Sequence, residues 1–393
     1  MIDYDPFSEQ VRNDPYPIYR RLRNEAPACF IPKYDAWALS RFQDIWDYSS
    51  HTALSTASGT TPSQLLTKVQ PVTPMLNLMD PPDHTKLRGK VRPFFAPRAI
   101  KALEPKMREI VTACLDEVLP KGRCDVIGDL AARLSVKVAC MATGIPTEDG
   151  ELLNRLVWRF FGREPGVDGM TQDGLAAAVE LGEYFVKLVE SRRKSANDDD
   201  DIVNMLRHFE LDGRLFTDEE ISSHLSMLII GGSETFPKTF ANAIHRLGEY
   251  PDQRAECAAD PGMIPEAFNE ALRYDMPTQF LGRTLLEDVE IHGEKLRTGR
   301  PVLFIYPSAN RDDCEFENPD VFDIRRRPQR ILSFGAGTHA CIGLHVAKME
   351  AKVCLEEVLS RIPDYQLGLD GAERLRTEFV QGFASLPISF EPL

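Results

Sequence analysis

Apolar positions recur at helical spacing through most of the chain, and strand-like runs are few and short. Asp14-Pro15-Tyr16-Pro17 sets two prolines before an amphipathic helix, and Trp37-Ala38-Leu39-Ser40 then predicts a strand. Residues 51–78 are rich in Ser, Thr and Pro without periodicity and predict a long loop with one short helix. From 100 to about 190 the pattern is helical, most clearly over 111–119, 127–144 and 175–189, with Gly144-Ile145-Pro146 as a break. Thr217-Asp218-Glu219-Glu220 is a capping box, with Thr217 capping and Glu220 reaching back. A helix of roughly 30 residues follows it to about Leu247, and its apolar first half predicts burial on most sides. Residues 283–293 and 302–306 predict strands, and 381–387 a hairpin. The expected class is mainly α with a small β-rich region.

The chain has 393 residues, 43% of them hydrophobic, enough for a large core. No linker divides it, so a single domain over 1–393 is expected; Asn197-Asp198-Asp199-Asp200-Asp201 is too short for one and predicts a solvated loop. Eight cysteines form no CxxC pair and no disulfide framework, which fits a reducing cytosol. The N-terminus lacks an apolar signal, and no run approaches the roughly 20 apolar residues of a membrane span. A cytoplasmic protein without a membrane anchor is expected. The formal charge of −14 argues against nucleic acid as a partner.

Within Phe334-Gly335-Ala336-Gly337-Thr338-His339-Ala340-Cys341-Ile342-Gly343 one cysteine sits among three glycines, ahead of a helical pattern from Leu344. Backbone N–H groups turned inward at glycines, and the positive end of a helix, both stabilise an anionic sulfur that binds a metal. The stretch resembles the cysteine-ligand loop of the cytochrome P-450 family. Six fixed positions in ten residues arise by chance in on the order of one in 10⁵ chains of this length. The resemblance implies haem b (iron protoporphyrin IX) with the Cys341 thiolate on iron, cradled by Phe334, Gly335, His339 and Gly343. It also implies a triangular helical domain with haem between the long central helix and the cysteine loop.

Other segments join this resemblance. His84 and Arg88, one helical turn apart after Pro81-Pro82, are two donors that suit a carboxylate and are similar to the family's propionate-binding HxxxR. Arg283 opens a stretch similar to the family's RxxxxDxExxG and is implied as a further propionate ligand. Gly231-Gly232-Ser233-Glu234-Thr235, in the middle of the long helix, is similar to AGx(D/E)T, with Gly231 in place of the commoner alanine. It implies that Glu234 and Thr235 relay protons. Pro237 removes the helical partner of the Ser233 carbonyl, and an ordered water is expected there. Glu270 and Arg273, with Arg326 or Arg325, resemble the family's buried Glu-Arg-Arg lock under the cysteine loop. By helical phase Met227, Ile230 and Gly231 share a pocket-facing side near Thr235, and the resemblance adds Gln279 and Phe383 as wall positions.

The activity so implied is a soluble, bacterial-type monooxygenase that activates O2 and hydroxylates a small apolar substrate. A ferredoxin-type donor with an NAD(P)H-dependent reductase would supply electrons, and a monomer is expected. Lys86, Arg88, Lys90, Arg92, Arg98, Lys101, Lys106 and Arg108 stand against one acid, Glu104, and four arginines lie between 325 and 330. Such patches on an acidic protein suit steering of an acidic donor. The rivals are a haem-thiolate enzyme that uses peroxide or no external electrons, and a non-catalytic haem sensor. Zinc at His339 and Cys341 is poorer still, because no second ligand pair stands at metal spacing.

Overall fold

The computed structural model describes residues 2–69, 73–164, 166–195 and 199–392. Asn197 and Asp198 of the acidic run lie outside them. The chain divides into two compact units. One comprises Met1–Val72, Asn269–Cys341 and Arg374–Gly382, and the other Thr73–Phe268, Ile342–Glu373 and Phe383–Leu393.

The first unit is built on a five-stranded sheet with the order Ala28–Ile31, Ala36–Leu39, Pro301–Ile305, Phe280–Leu285, Leu54–Ser55. Its middle strand, Pro301–Ile305, is buried along its whole length, so both faces of the sheet are covered. That strand runs parallel to Ala36–Leu39 and antiparallel to Phe280–Leu285, with Val302 opposite Arg283. One core packs Tyr19, Leu22, Ile31 and Phe280; another packs Phe42, Ile45, Leu285 and Phe304. Helix Tyr16–Glu25 opens with Pro17 in its first turn, where a missing N–H costs nothing. Arg283 lies inside a strand that starts at Phe280, three residues before the pattern placed it.

The second unit is helical. The central helix Asp218–Glu249 has 32 residues, about 48 Å at about 1.5 Å per residue, and the Thr217–Glu220 capping box closes its start. Neighbours fasten it by their side chains. Ser135 Oγ donates to the Gly232 carbonyl at 2.6 Å, Ser222 Oγ to Gly182 at 2.8 Å, and Tyr365 OH to Ile244 at 2.7 Å. Gly232 packs closely, since a Cβ there would stand 3.1 Å from that of Ala139. The helical span from 100 to 190 resolves into Pro97–Val118, Ala132–Thr143, Gly150–Phe161 and Gln172–Lys194. Of the acidic run, Asp201 caps the helix Ile202–Arg207.

The predicted hairpin over 381–387 is corrected. Gln381–Ser385 pairs with the preceding strand Glu373–Arg376, whereas Pro387–Ser389 joins a separate sheet with Gln366–Leu367 and Arg123–Asp125. The turn lies at Thr377, whose Oγ1 accepts from the Phe379 and Val380 amides at 3.1 and 2.8 Å. A hydroxyl closes this turn, and no glycine or proline marks it.

Candidate active site

In the first unit a buried ionic lock supports the cysteine loop. Arg273 meets Glu270 through two bonds of 2.8 and 2.7 Å, with side-chain exposures of 0% and 1%. Arg326 Nε reaches Glu270 Oε1 at 3.1 Å, and the Asp323 amide adds a donor at 3.0 Å. Of the two candidate arginines, Arg326 therefore completes the triad, while the Arg325 backbone N–H turns to Asp323. Arg273 also donates to the Asn310 carbonyl at 2.9 Å, and Asn310 Oδ1 accepts from the Leu332 amide at 2.9 Å. Ser333 Oγ bonds Asn310 and the Leu272 carbonyl. Sequence reasoning gave Asn310 and Ser333 no part in the lock, although Ser308-Ala309-Asn310-Arg311-Asp312 resembles a loop of the family.

From Leu332 the loop is closed by its own backbone. Gly335 N–H donates to Leu332 at 2.9 Å and Cys341 N–H to Phe334 at 2.7 Å. Gly337 has φ +70°, and a Cβ there would lie 1.8 Å from Ser50 Oγ, so only glycine closes this turn. The loop holds the Cys341 thiol exposed, as only Cys314 is besides among the eight cysteines. His339 lies in the same loop, in a short turn Gly337–His339. Gly343 caps the helix Leu344–Arg361, whose first turn follows the thiol.

In the second unit the central helix presents a less buried stripe that includes Met227, Ile230, Gly231 and Thr235, while Leu228, Ile229, Ser233 and Glu234 are buried. A Cβ on Gly231 would meet nothing within 4 Å. Thr235 Oγ1 donates back to the Gly231 carbonyl at 3.2 Å. Glu234 is turned elsewhere. Successive helical residues diverge by about 100°, and Glu234 is 2% exposed, its Oε1 2.5 Å from Lys238 Nζ. Burial pushes its carboxyl above the usual range, and Lys238 pulls it back. Glu234 Oε2 and Ser233 Oγ are buried without a hydrogen-bond partner. Lys238 was not foreseen, since an i, i+4 acid–lysine pair looks like an ordinary surface pair.

His84 is buried and Arg88 half-buried on one face of Asp83–Val91, in the same unit. Arg283, in the first unit, is 5% exposed and stacks 5.6 Å from the Phe304 ring centroid. The two expected wall positions are both buried. The Gln279 amide is occupied, accepting from Tyr19 OH at 3.1 Å and donating to Pro277 and Met276, and the residue is 3% exposed. Phe383 is 1% exposed and packs 5.0 Å from His245 within the core of the second unit. Both positions are expected from the resemblance alone.

The Cytochrome P450 family profile matches residues 263–366, which include the lock and the cysteine loop. Cytochrome P450 123 of Mycobacterium tuberculosis is 37% identical over 98% of this chain and 96% of its own. The chain belongs to the cytochrome P450 family. Among solved structures, CalO2 superposes with a TM-score of 0.88 at 31% identity, covering 100% of both chains. CYP109E1 from Bacillus megaterium, solved with testosterone, gives 0.87 at 29% identity over 98% of this chain and 99% of its own. The protein therefore has the P450 fold and is a haem-thiolate monooxygenase, an oxidoreductase that binds haem b and uses O2 on a small substrate. Its donor set suits that cofactor: an exposed thiol on a loop closed by backbone hydrogen bonds, two cationic-capable side chains one turn apart, and a helix face left open over Gly231. Among the described residues no helix of this P450 is long and apolar enough to cross a membrane.

Proposed function

We propose that this P450 hydroxylates an apolar small molecule in the cytoplasm as a monomer, with both units forming one catalytic domain over 1–393. A ferredoxin, reduced through an NAD(P)H-dependent reductase, supplies its electrons. The observation that carries the reading is the exposed Cys341 thiol on a loop closed by its own backbone and anchored through Asn310 to the Glu270–Arg273–Arg326 lock. Cys341 would hold the haem iron through its thiolate. His84, Arg88 and Arg283 would neutralise the haem carboxylates, and Phe334, Gly335, His339 and Gly343 would shape the cradle. When bound, the haem supplies the chemistry of oxygen activation.

The chain's own residues bind, orient and move protons. Met227, Ile230 and Gly231 offer an apolar face to substrate, in keeping with the testosterone held by CYP109E1. Thr235 carries a hydroxyl on that face and gives up its bond to the Gly231 carbonyl to pass a proton outward. Glu234, which Lys238 holds as a carboxylate at rest, rotates away, takes up a proton from water and passes it to Thr235. On the electron side, Lys86, Lys106 and Arg108 already face acids: Asp83, Glu109, and the pair Glu356 and Glu357. That leaves Lys90, Arg92, Arg98 and Lys101 to meet an acidic donor. Reversing charge at Lys90 and Lys101 should slow reduction by the ferredoxin and flatten its salt dependence.

The decisive test is the optical spectrum of the reduced, carbon monoxide-treated protein. A thiolate-type band that vanishes in Cys341→Ala supports the reading, and its absence from the wild type refutes it. Because Glu234 is clamped away from Thr235, a peroxide-driven reaction is the second reading. Turnover with peroxide exceeding that with ferredoxin and reductant would select it.

A further inference from the structure

The 3₁₀ turn Leu76–Leu78 begins with a donor that its own cap does not satisfy. First-turn N–H groups of any helix lack intrahelical acceptors and are met by a polar side chain at the cap. The cap residue here is Met75, which makes no such bond. The Leu76 N–H points instead into His224 Nδ1 of the central helix, 3.1 Å away and 148 positions along the chain. One residue earlier on that helix, Ser223 Oγ meets Thr73 Oγ1. The Phe216 ring lies 5.0 Å from the imidazole, and His224 is 3% exposed. Nδ1 accepts only if the ring is neutral and carries its proton on Nε2. The clipped segment is itself buried at Leu76, Leu78 and Met79, and it leads through Asp80 into Asp83–Val91, where the His84 amide bonds the Asp80 carbonyl at 3.0 Å.

We propose that His224 is a positioning residue: as an acceptor in trans, it caps the Leu76–Leu78 turn and so holds the entry to the His84–Arg88 helix against the central helix. The role assigned to that helix rests on the functional reading above, in which His84 and Arg88 grip the haem carboxylates. The clip is specific in its chemistry, because one acceptor atom at the Nδ1 position carries it. Asparagine places Oδ1 at that position, glutamine carries its polar group to the Nε2 position, and leucine offers none.

The test uses the holoenzyme with His224→Asn, His224→Gln and His224→Leu. Amide exchange over residues 73–79 is measured together with the rate of haem transfer to excess apomyoglobin. Losing the acceptor leaves a buried N–H unsatisfied, so exchange in the leucine and glutamine variants should quicken about tenfold or more, with faster haem transfer, and asparagine should restore both. Unchanged exchange in His224→Leu, or asparagine no better than glutamine, overturns the inference. If leucine does not fold, the asparagine–glutamine contrast still decides. A wild-type protein that takes up no haem would refute the functional reading, while exchange at Leu76 in the same samples would still report on the clip.

Discussion

Two buried carboxylates, one in each unit, live under opposite conditions. Glu270 is saturated: Arg273 binds it twice, Arg326 and the Asp323 amide once each. Glu234 has one partner, Lys238, and a second oxygen with none. Its unit repeats the pattern, since His224 makes a single long-range bond and Glu350, 2% exposed on the helix after Cys341, has a buried oxygen without a partner. A saturated charge cannot move without stranding several donors, so it suits a foundation. A singly held charge changes partner or proton at modest cost, which suits a residue that works in steps.

Breaking the saturated site should have the largest effect. Arg273→Leu leaves Glu270 buried and charged with its remaining donors misplaced, and should cost about 3–5 kcal/mol in denaturant unfolding or prevent folding. A loss below about 1 kcal/mol would mean that the lock carries no more than a surface pair.

Next in size is the acid window of His224. Burial holds its imidazole down to about 4 against an ordinary 6.5, with Glu220 opposing weakly. Between those values the unfolded chain binds the proton and the folded protein does not. Its contribution is therefore complete above pH 6.5, falls as pH drops toward 4, and amounts to about 3 kcal/mol at most. His224→Asn should flatten the stability curve in that window; a parallel curve would place the acid sensitivity elsewhere.

Lys238→Met sharpens the contrast between the carboxylates. Glu234 can escape isolation by taking a proton, so the loss at neutral pH should be about 1–3 kcal/mol, smaller than at Arg273. Its folded pKa then stands above the usual 4.5, so stability is full at low pH and is lost as pH rises through the folded value. Glu234→Gln in the same background should remove that slope. An additional protonated-carboxyl band in infrared spectra of Lys238→Met, lost again when Glu234→Gln is added, would report it without turnover.

The smallest effect is expected at Thr217→Ala. It removes one side of the capping box, where Thr217 Oγ1 accepts from the Glu220 amide at 3.3 Å, and should cost about 1 kcal/mol.

Local rules made much of this protein legible. The capping box and the apolar run of the central helix follow from residues within a few turns of one another. The cysteine loop was readable because glycines at fixed offsets are the price of its closure, as Gly337 against Ser50 illustrates. The ExxR spacing placed Glu270 and Arg273 together for the same reason, and helical phase placed Met227, Ile230, Gly231 and Thr235 on one stripe.

Tertiary packing decided the rest. Spacing could not say that Glu234 turns from Thr235 to Lys238, because a 100° step on a helix separates adjacent side chains and only their surroundings show which face is dry. Nor could it say that Gln279 is occupied by Tyr19 and Pro277, that Phe383 is spent on His245, or that a histidine 148 positions away caps Leu76. Periodicity and turn chemistry are properties of neighbours in the chain. The partner of a buried polar atom is chosen by whichever distant segment reaches it once water has left.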